Sequence, residues 1–402
     1  MSDLETTRNR SAKGVLTIVT VSHTMQHLYV GMSVLFPLII TDLNISYTEF
    51  GLIMAVSLIM GGLPQIAFSI LSRKAGRHLL LGLGNLLLSI GTFLMGLAHN
   101  AFHFLCGRVV ANLGTAPQHP MGTAIISEEF DGESVSRAIG IHFGVAYIGN
   151  IIGPLIMTAL AVAIGWRNTL LIFSMPMLIV GISVILYLRW IRQDKDASSD
   201  GRSSSIRSDL RSVMRARGVI PIILAQVMAS GGIDLGILTT YMPIFLSDAL
   251  KLNISDRGFL YTILLVGGVL GPVVLGKYVN SLGHLRTILI CSSISTLCLY
   301  LLTLYNTANP TLLANLFVLG FTSFSLPTLI QSHLVRITRG FGRDLVVGMY
   351  FTIGFGFSSI WAAAIGKIID VYKSFTPALI LMGTLGSLAS LVFAEQLRKF
   401  KG

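Results

Sequence analysis

The residues of this sequence best placed to do chemistry are ionisable side chains inside long apolar runs. A charge at the centre of a bilayer costs about 2.5–3.5 kcal/mol, so one found there has a reason to be there. His23 and His27 stand one helical turn apart, with Gln26 on the same side. Such a pair can titrate near neutral pH, line a polar cavity or hydrogen-bond between helices. No acid, thiol or HExxH pattern accompanies it, so no metal site is expected. Arg108, Asn112, Thr115 and His119 recur at i, i+4, i+7 and i+11, a single polar stripe on one helix. That stripe suits a polar or anionic ligand, or else ties Arg108 to backbone carbonyls. Asp234 is the one acid in the middle of an apolar run, with Gln226, Ser230 and Tyr241 near its face. It is a candidate to accept and release a proton, to be held ionised by Arg108, or to form a structural buried pair. His142 with Asn150, and Gln331 with His333, are secondary candidates.

The segments that must position these residues are set by composition. Of 402 residues only 12% are charged, 53% are hydrophobic, and mean hydropathy is +0.75. An average soluble domain has roughly 25% charge, so a soluble multidomain enzyme is excluded. Apolar runs fall at 15–41, 48–71, 79–98, 102–126, 138–164 and 168–188, and again at 219–246, 257–279, 286–305, 311–335, 345–368 and 375–394. Each is long enough to cross a bilayer as a helix. The expected fold is an all-α membrane protein of twelve transmembrane helices. Its parts are an N-terminus (1–14), a six-helix bundle (15–188), a basic Ser-rich linker (189–218), a second six-helix bundle (219–394) and a basic tail (395–402). The first run is too long for a signal-peptide core.

Net charge is +11, and 23 of the 29 Lys and Arg lie on the side of the N-terminus. By the positive-inside rule both termini are cytoplasmic in a multi-pass inner membrane protein, and nucleic acid is not an expected partner. Cys106, Cys291 and Cys298 sit in apolar runs without CxxC spacing and are expected to be buried and inert. A shift of about 207 residues superposes Glu49 on Asp256, Gly76 on Gly283 and Pro120 on Pro327, and Asn44-Ile45-Ser46 recurs as Asn253-Ile254-Ser255. Two homologous halves explain this, an arrangement that usually places a substrate site near the membrane midplane.

Several strings resemble the major facilitator superfamily over nearly the whole chain. The stretch Ser69 to Arg77, ending Lys74-Ala75-Gly76-Arg77, is similar to its loop between spans two and three, and Gly276 to Gly283 is the half-repeat. The usual Asp of that loop is Arg73 in one copy and Asn280 in the other. Gly140, Gly149, Gly153 and Pro154 resemble the span-five signature of proton-coupled drug exporters, with Met157-Thr158 in place of its trailing Gly-Gly. Ser22-His23 to His27, Ser46 to Leu52, and Pro117-Gln118-His119-Pro120 look most like the fosmidomycin-resistance type, which tends to have Asp where His27 stands.

The resemblance implies a secondary transporter working by alternating access, not an enzyme. No GxxxxGK[ST] loop for nucleotide appears and no cofactor is expected, the energy source being a proton gradient. The expected activity is proton-coupled efflux of a small organic compound, with anionic compounds among the candidates. The alternatives are uptake of an organic anion and a membrane receptor without turnover. Substrate contact is expected from Arg108, His23, His27, Gln26, Asn112, Thr115, His119, Tyr241 and Gln331, and proton coupling from Asp234, His27 and His119. Gly76, Arg77, Gly140, Gly149, Gly153, Pro154 and Gly283 are expected to shape packing and conformational change. A small molecule and the lipid bilayer are the expected partners of a monomer.

Overall fold

An apolar chain that crosses a bilayer must satisfy its backbone groups within each segment. The regular structure among the described residues is accordingly all helical. The computed structural model describes residues 2–72, 74–130, 133–191, 213–338 and 343–399. Residues 192–212 of the linker, 400–402 of the tail, and Arg73 lie outside them.

In the first half the helices are α1 (Ser2–Val30), α2 (Phe36–Asp42), α3 (Tyr47–Gly62), α4 (Pro64–Leu71), α5 (Arg77–Gly96), α6 (Ala101–Thr115), α7 (Gln118–Glu129), α8 (Glu133–Ala146) and α9 (Ile148–Ile191). The second half holds α10 (Val219–Ala229), α11 (Leu235–Ile244), α12 (Ile254–Leu282), α13 (His284–Leu302), α14 (Pro310–Ser323), α15 (Leu326–Ile337), α16 (Arg343–Tyr372) and α17 (Thr376–Lys399). All twelve apolar runs are helical. Among the described residues nine stretches are long and apolar enough to span a membrane. One of these, Arg137–Ile191, has 55 residues, roughly twice a single crossing. It turns at Gly165, whose φ of 77° is open mainly to glycine. The runs at 102–126 and 219–246 are each divided into two shorter helices, at Ala116-Pro117 and at Ser230 to Asp234.

The chain forms two compact units, Met1–Met32 with Met60–Gly201, and Ser33–Ile59 with Arg202–Gly402. In the first, α5 and α6 meet through glycines. A Cβ on Gly91 would lie 2.2 Å from the backbone nitrogen of Ala111, and one on Gly114 would lie 2.5 Å from the Gly84 carbonyl oxygen. Close backbone approach of this kind supplies the packing that the hydrophobic effect cannot supply in lipid. Buried Asn85 donates to Ser22 Oγ at 2.7 Å, and Ser22 donates to Gln118 Oε1 at 2.7 Å, tying α1, α5 and α7 together.

In the second unit, α12 and α14 use the same device, a Cβ on Gly267 meeting the Phe317 carbonyl oxygen at 2.2 Å. The two Asn-Ile-Ser strings both start helices. Ser46 and Glu49 form a reciprocal capping box on α3, with N–H to oxygen distances of 2.9 and 3.1 Å. Asn253 caps α12 by accepting from the Asp256 N–H at 3.0 Å. The α3 start is also held by Asp370, which accepts from the N–H groups of Tyr47 (3.2 Å) and Thr48 (2.6 Å) and from the Thr48 hydroxyl. Tyr47 donates its hydroxyl to Asp248 at 2.7 Å.

Cys291 and Cys298 are buried, but Cys106 is exposed, which corrects the expectation for that residue. It shares an outer face of α6 with Phe102, itself 68% exposed. Such apolar outer faces suit contact with lipid.

Candidate functional site

The first unit gathers four of the nine histidines. Helical spacing puts Thr20, His23 and His27 on one side of α1. His142 comes from α8 and Asn150 from α9. His142 Nδ1 lies 3.1 Å from Thr20 Oγ1, and its Nε2 lies 3.0 Å from His23 Nδ1. His23 Nε2 lies 3.1 Å from His27 Nε2, and His27 Nδ1 lies 2.9 Å from Asn150 Oδ1. Thr20, His23, His142 and Asn150 are buried, and His27 is half-buried.

The glycines explain why α9 reaches this face. A Cβ on Gly149 would lie 2.8 Å from both His27 Cβ and the Thr24 carbonyl oxygen. One on Gly153 would lie 2.7 Å from the Leu28 oxygen, and one on Gly31 would lie 2.5 Å from Pro154 N. Bare backbone at these positions lets Asn150 meet His27. Gly140 stands apart, with nothing within 4 Å of a Cβ built there.

Aromatic rings enclose the imidazoles. Phe143 stands edge-on to His23 at 5.2 Å between ring centres, and Tyr147 packs on His27 at 4.8 Å. His119 is exposed, edge-on to His23 at 5.1 Å and stacked on Phe143 at 6.0 Å. The ring nitrogens of His23, His27 and His142 are directed at one another. Among the described residues no group of three or more His, Cys, Asp or Glu is arranged to hold a metal ion.

The stripe expected on one helix is divided between two, because the chain breaks at Ala116-Pro117 between Thr115 and His119. Arg108 is 6% exposed and donates from Nη1 to Tyr29 Oη at 3.0 Å, with its guanidinium carbon 5.6 Å from that ring's centre. Asn112 donates to the Arg108 carbonyl oxygen at 2.9 Å and Thr115 to that of Asn112 at 2.7 Å, so both engage their own helix. Gln26 is buried, its amide nitrogen having no hydrogen-bond partner among the described residues. Arg77 forms an ion pair with Glu128 at the end of α7. Gly76 caps α5.

The remaining candidates lie in the second unit. Asp234 is the N-cap of α11: its side chain accepts from the Gly236 N–H at 2.9 Å and from the Ser358 hydroxyl at 3.4 Å. Tyr241 donates to the Ala362 carbonyl oxygen. Gln226 accepts from Tyr350 Oη at 3.1 Å, and Ser230 is bound to its own helix. Gln331 is half-buried on α15, and Gly283 separates α12 from α13 with a φ of 87°. The site residues that sequence reasoning missed are Thr20 and Tyr29. A lone hydroxyl on an apolar helix gives no signal until its partner is known.

The Major Facilitator Superfamily profile matches residues 18–339. The chain belongs to this superfamily. It is a multi-pass membrane transporter, not an enzyme. The superfamily chain is 23% identical over 377 residues to the "Probable L-galactonate transporter" of Escherichia coli (strain K12), covering 89% of this chain and 83% of that protein. It is 26% identical over 305 residues to "Multidrug resistance protein 2" of Bacillus subtilis (strain 168), covering 74% and 73%. The crystal structure of a mutant form of the nucleoside transporter NupG superposes with a TM-score of 0.79 at 12% identity, covering 95% of this chain and 99% of that one. The profile match gives the transporter class, and the structural likeness shows the fold. The relatives' names include both metabolite transporters and resistance proteins.

Proposed function

We propose that the protein is a proton-coupled carrier that exports a small organic anion by alternating access. The observation that carries this reading is the presence, within one unit, of a buried guanidinium, Arg108, bound to Tyr29 of α1, and of a hydrogen-bonded line of imidazoles that includes His23 and His27 of the same helix. Arg108 presents a planar fork for a carboxylate or similar group, and the imidazoles offer nitrogens that can bind and release a proton. The export direction is supported by the Gly149, Gly153 and Pro154 spacing. The strings around His23, Glu49 and Gln118, which look like the fosmidomycin-resistance type, point the same way. One proton moving down 100 mV supplies about 2.3 kcal/mol, enough for roughly fifty-fold accumulation at one charge per cycle.

A second reading, uptake of an organic anion with protons, is favoured by the breadth of the match to the relative named for L-galactonate. The deciding experiment has two stages. A thermal-stability screen of organic anions and neutral drugs across pH finds a ligand; its flux is then followed in sealed vesicles with an imposed pH gradient. Flux opposite to the proton gradient supports export, and flux along it supports uptake. Flux indifferent to the gradient contradicts both. Arg108→Lys is expected to weaken the ligand's affinity about tenfold.

A further inference from the structure

Thr20, His142, His23, His27 and Asn150 form one unbroken line of hydrogen bonds, every link between 2.9 and 3.1 Å. Each neutral imidazole has one donor and one acceptor nitrogen, and the line is satisfied by a single consistent assignment. Thr20 donates to His142 Nδ1, His142 Nε2–H to His23 Nδ1, His23 Nε2–H to His27 Nε2, and His27 Nδ1–H to Asn150 Oδ1. All three rings are then neutral and no nitrogen is left over. Among the described residues no carboxylate hydrogen-bonds to any of them.

We propose that this line is a proton relay between Thr20 and His27, the latter at the centre of the span Ala12–Asp42. Its role in transport rests on the proton-coupled reading above. A proton from water on the N-terminal side binds Thr20 Oγ1 as the hydroxyl proton passes to His142 Nδ1. His142 releases its Nε2 proton to His23 Nδ1, and His23 releases its Nε2 proton to His27 Nε2. One proton has been taken up, no heavy-atom bond has changed, and the single positive charge resides on His27. That imidazolium donates from Nε2 back to His23 and from Nδ1 to Asn150. The first three hydrogen bonds have reversed, while the fourth keeps its direction because an amide oxygen only accepts. The charge has moved about 10 Å along α1, seven residues at 1.5 Å each.

The other groups facing the line are few. His119 on α7 is edge-on to His23 and Tyr147 packs on His27, and both meet the line through ring contacts. α5 contributes uncharged Asn85, bound to Ser22, and α6 carries Arg108, bound to Tyr29.

The relay makes a prediction that needs no substrate. The full chain, with ¹⁵N-labelled histidine rings, is placed in phosphatidylethanolamine–phosphatidylglycerol bilayers and its ring signals are followed from pH 9 to 4. Single His→Gln variants assign the signals. The expected result is His23 and His142 in the Nε2–H form and His27 in the Nδ1–H form at high pH. On acidification, His27 gains its second proton at the same midpoint at which His23 and His142 switch to Nδ1–H. Thr20→Val, which removes the last acceptor of the reversed line, lowers that midpoint by at least one pH unit, and Thr20→Ser restores it. Titration of His27 while His23 or His142 keeps its Nε2 proton would overturn the relay. A coupled switch without pH-driven flux would leave the relay and overturn proton-coupled transport; pH-driven flux with unlinked rings would do the reverse.

Discussion

His142 Nε2 lies 3.0 Å from His23 Nδ1, so spans five and one of the first unit are joined through two imidazoles. Both rings are 1% exposed, and a buried polar group that loses its partner costs about 1–3 kcal/mol. His142→Phe keeps much of the ring volume and strands both His23 Nδ1 and Thr20. It is expected to destabilise the protein by about 2–4 kcal/mol on that principle. The thermal unfolding midpoint in detergent checks this, with His142→Gln falling between the variant and the wild type.

The glycines of α9 predict a contrast along one helix. Gly149→Val places atoms where His27 Cβ and the Thr24 oxygen already lie, within 2.8 Å of the first added carbon. Separating α9 from α1 would also part Asn150 from His27. The expected loss is about 3 kcal/mol or more, as for severe overpacking. Gly140→Ala, within α8 and with nothing lying within 4 Å, is expected to stabilise by about 0.5–1 kcal/mol, the helix-propensity difference between glycine and alanine. Parallel denaturation of the two variants reads the difference.

Asp234 has two separable properties, charge and capping. Asn caps a helix about as well as Asp, so Asp234→Asn keeps the bond to the Gly236 N–H and removes the carboxylate. If Asp234 carries a proton in the cycle, this variant loses pH-driven flux and retains substrate exchange. Asp234→Ala additionally lowers stability by about 1 kcal/mol through the lost cap. Wild-type pH dependence in Asp234→Asn would remove Asp234 from the coupling machinery.

Asp370 accepts three hydrogen bonds from Tyr47 and Thr48 in the second unit. Bonds to a charged acceptor contribute about 1.5–3 kcal/mol when buried, and less at this partly exposed site. Asp370→Ala is expected to destabilise by about 1–2 kcal/mol and to speed proteolysis at the Asp42 to Ser46 connection. Limited digestion followed by mass spectrometry measures it.

Much of the helix count was legible because apolar length and charge clusters report spans directly. The breaks were harder to see. Pro117 in the run at 102–126 and the pair Gly231-Gly232 ahead of Asp234 are ordinary helix-ending signals, yet a continuous apolar background hid them. His23 and His27 were legible as one turn of one helix. Their pairing with His142 and Asn150 was not, since it depends on which faces of α8 and α9 meet α1. The Gly149 and Gly153 spacing announces a smooth face without naming its partner. Asp370 lies beyond the apolar run at 345–368 and gave no signal, because its partners are backbone N–H groups and a hydroxyl more than 300 residues away in sequence.

Substrate movement tied to proton movement is the claim on which the proposed function turns. The most direct measurement uses purified protein in sealed vesicles loaded with a pH-sensitive dye, to which the ligand found by the stability screen is supplied on one side without any imposed gradient. Ligand flux is predicted to drive an internal pH change in proportion to the substrate moved, with the sign of proton counterflow, and the change is lost in His27→Gln. Ligand flux with no accompanying pH change would contradict it.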